Sequence, residues 1–172
     1  MPIDQTPSDI QDEKTAKKNQ QFEWHITVTD EYVTEEGSET AISILEKYSV
    51  TQGARLSKSE LKQAMSKGAL WLTPAKNKKQ TQRLRRVKKH LLIGDELHFY
   101  FNNEVLSAVV PQALLIEDLI DYSVWFKPYG MLSQGSKWSD HCTIARFAQQ
   151  NLPNERPAFI VHRLDRAATG LI

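Results

Sequence analysis

Between Phe22 and Thr29 the chain alternates, with Phe22, Trp24, Ile26 and Val28 against Glu23, His25, Thr27 and Thr29. A period of two with one apolar face predicts a half-buried strand. Glu35-Glu36-Gly37-Ser38 reads as a turn, with Ser38 as a candidate cap for a following helix. Ala41, Ile42, Ile44, Leu45 and Tyr48 then fall on one helical stripe. A second helix is marked by Ser57-Lys58-Ser59-Glu60, a capping-box pattern with the hydroxyl at the N-cap and the carboxylate three residues on. Leu61, Ala64 and Met65 supply its apolar stripe, and Gly68 suits the left-handed position just past its end. Ala69 to Leu72 predicts a short strand stopped by Pro74. Gly94-Asp95 turns the chain, and Glu96 to Phe101 alternates again, with Leu97, Phe99 and Phe101 on one face. These elements predict a small α+β unit.

The second part of the chain is patterned less regularly. Val105 to Leu114 is apolar but interrupted by Pro111 and reads as a linker, and Ile116-Glu117-Asp118 opens a new segment. Tyr122 to Lys127 predicts a strand that Pro128-Tyr129-Gly130 turns sharply, because proline fixes φ and glycine allows positive φ. Met131 to Gly135 continues extended. Asp140 is a candidate cap for a helix with Ile144, Phe147 and Ala148 inward, ending near Pro153. Phe159-Ile160-Val161 predicts a strand running into His162-Arg163-Leu164-Asp165-Arg166, and Gly170-Leu171-Ile172 reads as the start of a buried strand.

Charge changes this picture more than composition does. The formal net charge is only +1, but it is unevenly spread. Glu23 to Glu46 holds seven acids and no Lys or Arg; Arg55 to Lys89 holds twelve Lys/Arg against the single acid Glu60; Asp95 to Asp121 holds six acids and again no Lys or Arg. The basic middle segment is the footprint of a polyanion-binding face, the alternative being a solvated face whose lysines aid solubility. Met1 to Gln21 is polar, with both charge signs and neither a signal-peptide nor a transit-peptide character, and is expected to be a disordered tail. No apolar run reaches the length of a membrane helix. The one cysteine, Cys142, excludes an internal disulfide and suits a reducing, cytoplasmic setting. His141-Cys142 has no second Cys or spaced His to make a zinc site, and no glycine-rich phosphate loop occurs.

Asp165 is the candidate for chemistry. A carboxylate between Arg163 and Arg166 is expected to stay ionised, and an ionised, positioned Asp can act as nucleophile or base. The bare residues by themselves favour the plainer alternative, an Arg–Asp pair at a strand end. Gly170, after small residues, allows a close backbone approach.

Two resemblances bear on this choice. Arg55 to Leu70 and the later Ile93-Gly94-Asp95-Glu96-Leu97 resemble the S4 RNA-binding module, although the family's Asn-Gly after the strand is Leu72-Thr73-Pro74 here. The resemblance implies that the second helix and the following loop meet RNA phosphates, with Lys58, Lys62, Lys67, Arg83, Arg85 and Arg86 as candidates. His162-Arg163-Leu164-Asp165 followed by Gly170-Leu171, with Lys127-Pro128-Tyr129-Gly130-Met131 upstream, resembles the RluA family of pseudouridine synthases. Where that family has Thr-Ser before the glycine, this chain has Ala168-Thr169.

The second resemblance implies that Asp165 attacks a flipped uridine, with Arg163 helping to expel the base, His162 and Leu164 positioning the Asp from beneath, and Lys127 shaping the floor of the site. It implies no cofactor and no metal. It also implies a downstream stretch, supplying a stacking tyrosine and a basic partner for the Asp, so the chain is expected to be an N-terminal part of such an enzyme. The expected fold is α+β: a tail over 1–21, an S4-like module over 22–104, a linker over 105–115, and over 116–172 the first part of a mixed, mainly antiparallel catalytic sheet. The expected partner is structured RNA, ribosomal or transfer, bound by a monomer. The alternatives are a non-catalytic S4-type RNA-binding protein and an inactive fragment.

Overall fold

The computed structural model describes residues 20–34, 37–154 and 156–172. The tail expected over 1–21 lies outside them except for its last two residues, and Gln21 already belongs to the first strand. The chain divides into two units, one ending at Ser107 and one beginning at Ala108.

In the first unit β1 (Gln21–Thr27), β4 (Leu70–Thr73), β5 (Gln82–Arg83) and β6 (Glu96–Asn102) form one antiparallel sheet in the order β1-β6-β4-β5. Val33–Thr34 (β2) pairs with Gly37–Ser38 (β3); Glu35 and Glu36, half of the expected turn, lie outside the described residues. Helices α1 (Ala41–Thr51) and α2 (Lys58–Ser66) cover one face of the sheet. Their buried residues Ile44, Leu45, Leu61 and Met65 pack with Trp24, Ile26, Leu70, Leu97 and Phe99. The period-two and helical stripes therefore face each other, which is how an amphipathic sheet and helix bury apolar area.

Several local expectations shift. The cap of α1 is Thr40, whose side chain accepts from the Ser43 amide, because Ser38 is already paired in β3. The capping box of Ser57 and Glu60 forms as expected, and Gly68 adopts φ 86 beyond the end of α2. Within the basic segment 55–89, Arg83 and Gln82 pair with Trp71 and Leu72. The segment 105–115 is not a plain linker. Its start lies in α3 (Asn103–Ser107), where Leu106 joins the first core, and its end lies in strand β7.

The second unit is built on β7 (Leu114–Asp118), β8 (Ser123–Lys127) and β9 (Gly170–Leu171), antiparallel in that order. One helix, α4 (Ile144–Asn151), lays Ile144, Phe147 and Ala148 on Trp125 and Met131. Its cap is Thr143 rather than Asp140: the Thr143 side chain accepts from the Arg146 amide, while the Asp140 carbonyl accepts from the Thr143 hydroxyl. Of the stretch Met131–Gly135, only Leu132 makes a β-bridge, to Thr143. The predicted strand Phe159–Val161 does not form, and Phe159 and Val161 are 87% and 92% exposed. Among the described residues the sheet stops at three strands, and Phe159–Val161 pairs with none of them. No helix among the described residues is long and apolar enough to cross a membrane.

Candidate active site

The strand β8 ends at Lys127, opposite Gly170 of β9. Beyond them two loops leave side by side: Pro128 to Ser133 from β8, and the segment His162 to Thr169 entering β9. Four polar links join these loops. The Gly130 amide donates to the Arg166 carbonyl at 2.8 Å, and Arg166 Nε returns a bond to the Gly130 carbonyl at 3.3 Å. The Leu164 amide donates to Ser133 Oγ at 3.0 Å, and that hydroxyl donates to the Leu164 carbonyl at 2.6 Å. Asp165 sits between these two straps, at the head of a turn closed by the Ala168 amide on the Asp165 carbonyl at 3.0 Å.

The first loop is itself anchored. Leu132 accepts from the Ile144 amide at 2.7 Å and donates to the Cys142 carbonyl at 3.0 Å, tying it to the start of α4. Gly130 turns at φ 82 and Gly170 at φ 149, conformations that favour glycine. A side chain at Gly135 would meet Asp140 Cβ at 2.6 Å, so that position is sterically obliged to be glycine.

Lys127 is fully buried, and its ammonium donates to three carbonyls: Met131 at 2.8 Å, Ala168 at 2.7 Å and Pro128 at 3.2 Å. Three donors meet three acceptors, which is how a buried ammonium is made tolerable. One acceptor lies in each loop's backbone and the third in the residue between strand and turn, so the lysine pins both loops at once. Burial pulls its pKa below the ordinary lysine value, and the Asp165 carboxylate opposes that shift. The two charges therefore sense each other although no hydrogen bond joins them.

The expected Arg163–Asp165–Arg166 pairing is not formed among the described residues. Arg166 turns instead to the Gly130 carbonyl, and Arg163 is exposed. The turn at Asp165 fans its neighbours apart, so adjacency in sequence does not become contact. Asp165 is exposed at the surface, as a group that must reach a ligand needs to be. His162 is exposed too and does not pack beneath Asp165, whereas Leu164 is half-buried. Ser133, which sequence reading passed over, is 5% exposed. Its signal was parity: Met131 and Ser133 share one side of an extended stretch, and Met131 is fully buried. A cavity of about 280 Å³ in this unit lies elsewhere, between Trp125, Ile144, Arg156, Phe159 and Ile172, and Asp165 does not line it.

In the first unit the candidate cations are dispersed. Lys62 and Arg86 are exposed. Lys58 pairs with Glu46 at 2.9 Å. Lys67 donates to the Leu106 carbonyl, and Arg85 is half-buried. Arg83 donates to the Gly68 carbonyl and lies over the Trp71 ring.

Residues 121–172, which contain both loops and Asp165, match the family model for RNA pseudouridylate synthase. The match makes this segment similar to a family of enzymes, isomerases that act on RNA. No curated protein matches the chain.

Proposed function

We propose that the chain is an RNA pseudouridine synthase of the RluA type, with Asp165 as its catalytic carboxylate and an S4-like module as its RNA-binding part. The observation that carries this reading is the strapped turn. Asp165 is held between two pairs of hydrogen bonds, one through the Ser133 hydroxyl and one through Arg166, within electrostatic reach of a buried ammonium, inside the segment that carries the family match. A carboxylate fixed in position and open to ligand suits nucleophilic attack on a substrate brought to it, and a uridine must be flipped out of its stack to be reached. Arg163, exposed two residues away, is free to move into the space a flipped base leaves. His162, exposed beside it, is within the same reach of substrate.

The proposed substrate is a uridine in structured ribosomal or transfer RNA. Lys58, Lys62, Lys67, Arg83, Arg85 and Arg86 supply phosphate contacts, with Lys58, Lys62 and Arg86 the exposed ones among them. The protein acts as a monomer in the cytoplasm. No cofactor is required by a carboxylate mechanism of this kind. The test is formation of pseudouridine in unmodified ribosomal and transfer RNA, scored by carbodiimide-dependent reverse-transcription stops. The chain is expected to give stops and the Asp165→Asn variant none; equal stops from both would overturn the assignment of Asp165.

A further inference from the structure

The sheet of the first unit has two faces of opposite character. One is the core face packed by α1 and α2. Side chains alternate along a strand, so the intervening positions point the other way. On that second face the strand register sets His25 opposite His98, His98 opposite Trp71, and Trp71 opposite Arg83. Three rings and a guanidinium thus form one row across all four strands.

The row is held in place by its own members. His25 Nδ1 and His98 Nδ1 are 2.9 Å apart and share a hydrogen bond, and His98 Nε2 bonds Thr73 Oγ1 at 2.9 Å. Tyr100, one pleat along from His98, sets its ring edge-on to His25 with centroids 5.8 Å apart. The Arg83 guanidinium lies 4.2 Å from the Trp71 ring centre, a cation–π arrangement. Rings fixed in this way lose little further freedom when another flat group stacks on them.

Charge along the row favours a polyanion at one end. Lys76, Lys78 and Lys79 are exposed in the connection between β4 and β5. Lys78 pairs with Glu96, the acid beside His98 on the same face, at 3.0 Å. Glu23, opposite Tyr100 on the outer strand, bounds the path at the other end. Aromatic rings along a sheet face with cations at one end suit single-stranded nucleic acid, whose unpaired bases offer π-faces and whose phosphates lie alongside. A duplex offers no such faces, because its bases cover one another.

We propose that this face is a stacking platform for a single-stranded RNA segment, with bases over Trp71, His98 and Tyr100 and phosphates toward Lys76, Lys79 and Arg83. The platform lies on the side of the sheet away from α1 and α2, and it holds whether or not Asp165 is catalytic.

The test uses the full chain and a single-stranded RNA octamer carrying 5-bromouridine, irradiated at low salt and mapped by mass spectrometry. Adducts are expected on Trp71, His98 or Tyr100. Unlabelled single strand is expected to compete, and a duplex of the same sequence to compete poorly. Trp71→Leu is expected to weaken octamer binding about tenfold, the loss typical of one stacked base. His25→Ala, which removes the partner of His98 at the end of the row, is expected to weaken it by a smaller factor. Adducts confined to Lys58–Lys67 and Arg85–Lys89, equal competition by the duplex, or no binding at all would each overturn the platform. The mapping needs no substitution, so an unfolded Trp71 variant would not blunt it.

Discussion

Replacing Ser133 by alanine removes one oxygen atom and two of the bonds that hold the Asp165 turn. The hydroxyl accepts from the Leu164 amide at 3.0 Å and donates to its carbonyl at 2.6 Å. Its side chain is almost wholly buried, so water does not stand ready to replace it. Each lost bond costs about 1 kcal/mol net, and two backbone groups are left without their partner, so we expect the strap to weaken by about 2 kcal/mol. The cavity left by one oxygen is too small to add much. The local assay is native-state amide exchange of the full chain. The Leu164 amide should exchange about thirtyfold faster in Ser133→Ala, since 1.4 kcal/mol is tenfold. Amides of the first unit should be unmoved, because both lost bonds lie within the second unit. The midpoint of urea unfolding for the second unit should fall. An unchanged Leu164 exchange rate with an unchanged midpoint would refute the strap and, with it, the account of how Asp165 is positioned.

The Lys127→Met variant tests the buried ammonium through pH. The native pKa lies below the unfolded one, so between the two the unfolded chain binds more protons and stability rises with pH, up to the ordinary lysine value of 10.5. Thermal scans should show this alkaline rise in the natural chain and not in Lys127→Met; the same slope in both would exclude Lys127 as its source. His98 works in the acid direction: burial, then His25, hold its pKa below the ordinary value of 6.5, with Glu96 opposing. The stability it gives is present above 6.5 and lost as pH falls through its native value, so the first unit should lose midpoint below pH 6.5 and His98→Asn should flatten that loss. Gly135→Ala places a methyl 2.6 Å from Asp140 Cβ with backbone close behind, and should destabilise the second unit by about 1–3 kcal/mol in urea titration. A neutral result would mean that this loop is free to shift.

The first unit was largely legible in the chain because its signals are local. Alternation in 22–29 and 96–101, the Ser57–Glu60 box and Gly68 each specify conformation through residues within one turn or one pleat. The second unit was less so. Phe159-Ile160-Val161 has strand composition but no strand, because composition sets propensity whereas pairing needs a partner strand that the fold brings alongside. Asp140 and Thr143 both suit a helix cap, and the choice fell to the residue whose backbone lies in the extended region at the point where Leu132 fixes the helix start.

The same division runs through the candidate site. By itself the sequence determined which residues are candidates for chemistry and which shape the turns: the lone carboxylate of 162–169, the lysine before the Pro-Tyr-Gly turn, and the glycines that permit the turns. Their types and spacing also determined the resemblance. Only the tertiary structure decided the partners. It took Arg166 away from Asp165 and gave it to the Gly130 carbonyl, sealed Lys127 beneath three carbonyls, and brought Ser133 to Leu164 across 31 residues of chain. Sequence patterns fix what a residue can do with its neighbours along the chain, whereas charge pairing and buried hydrogen bonds depend on distances that only folding sets.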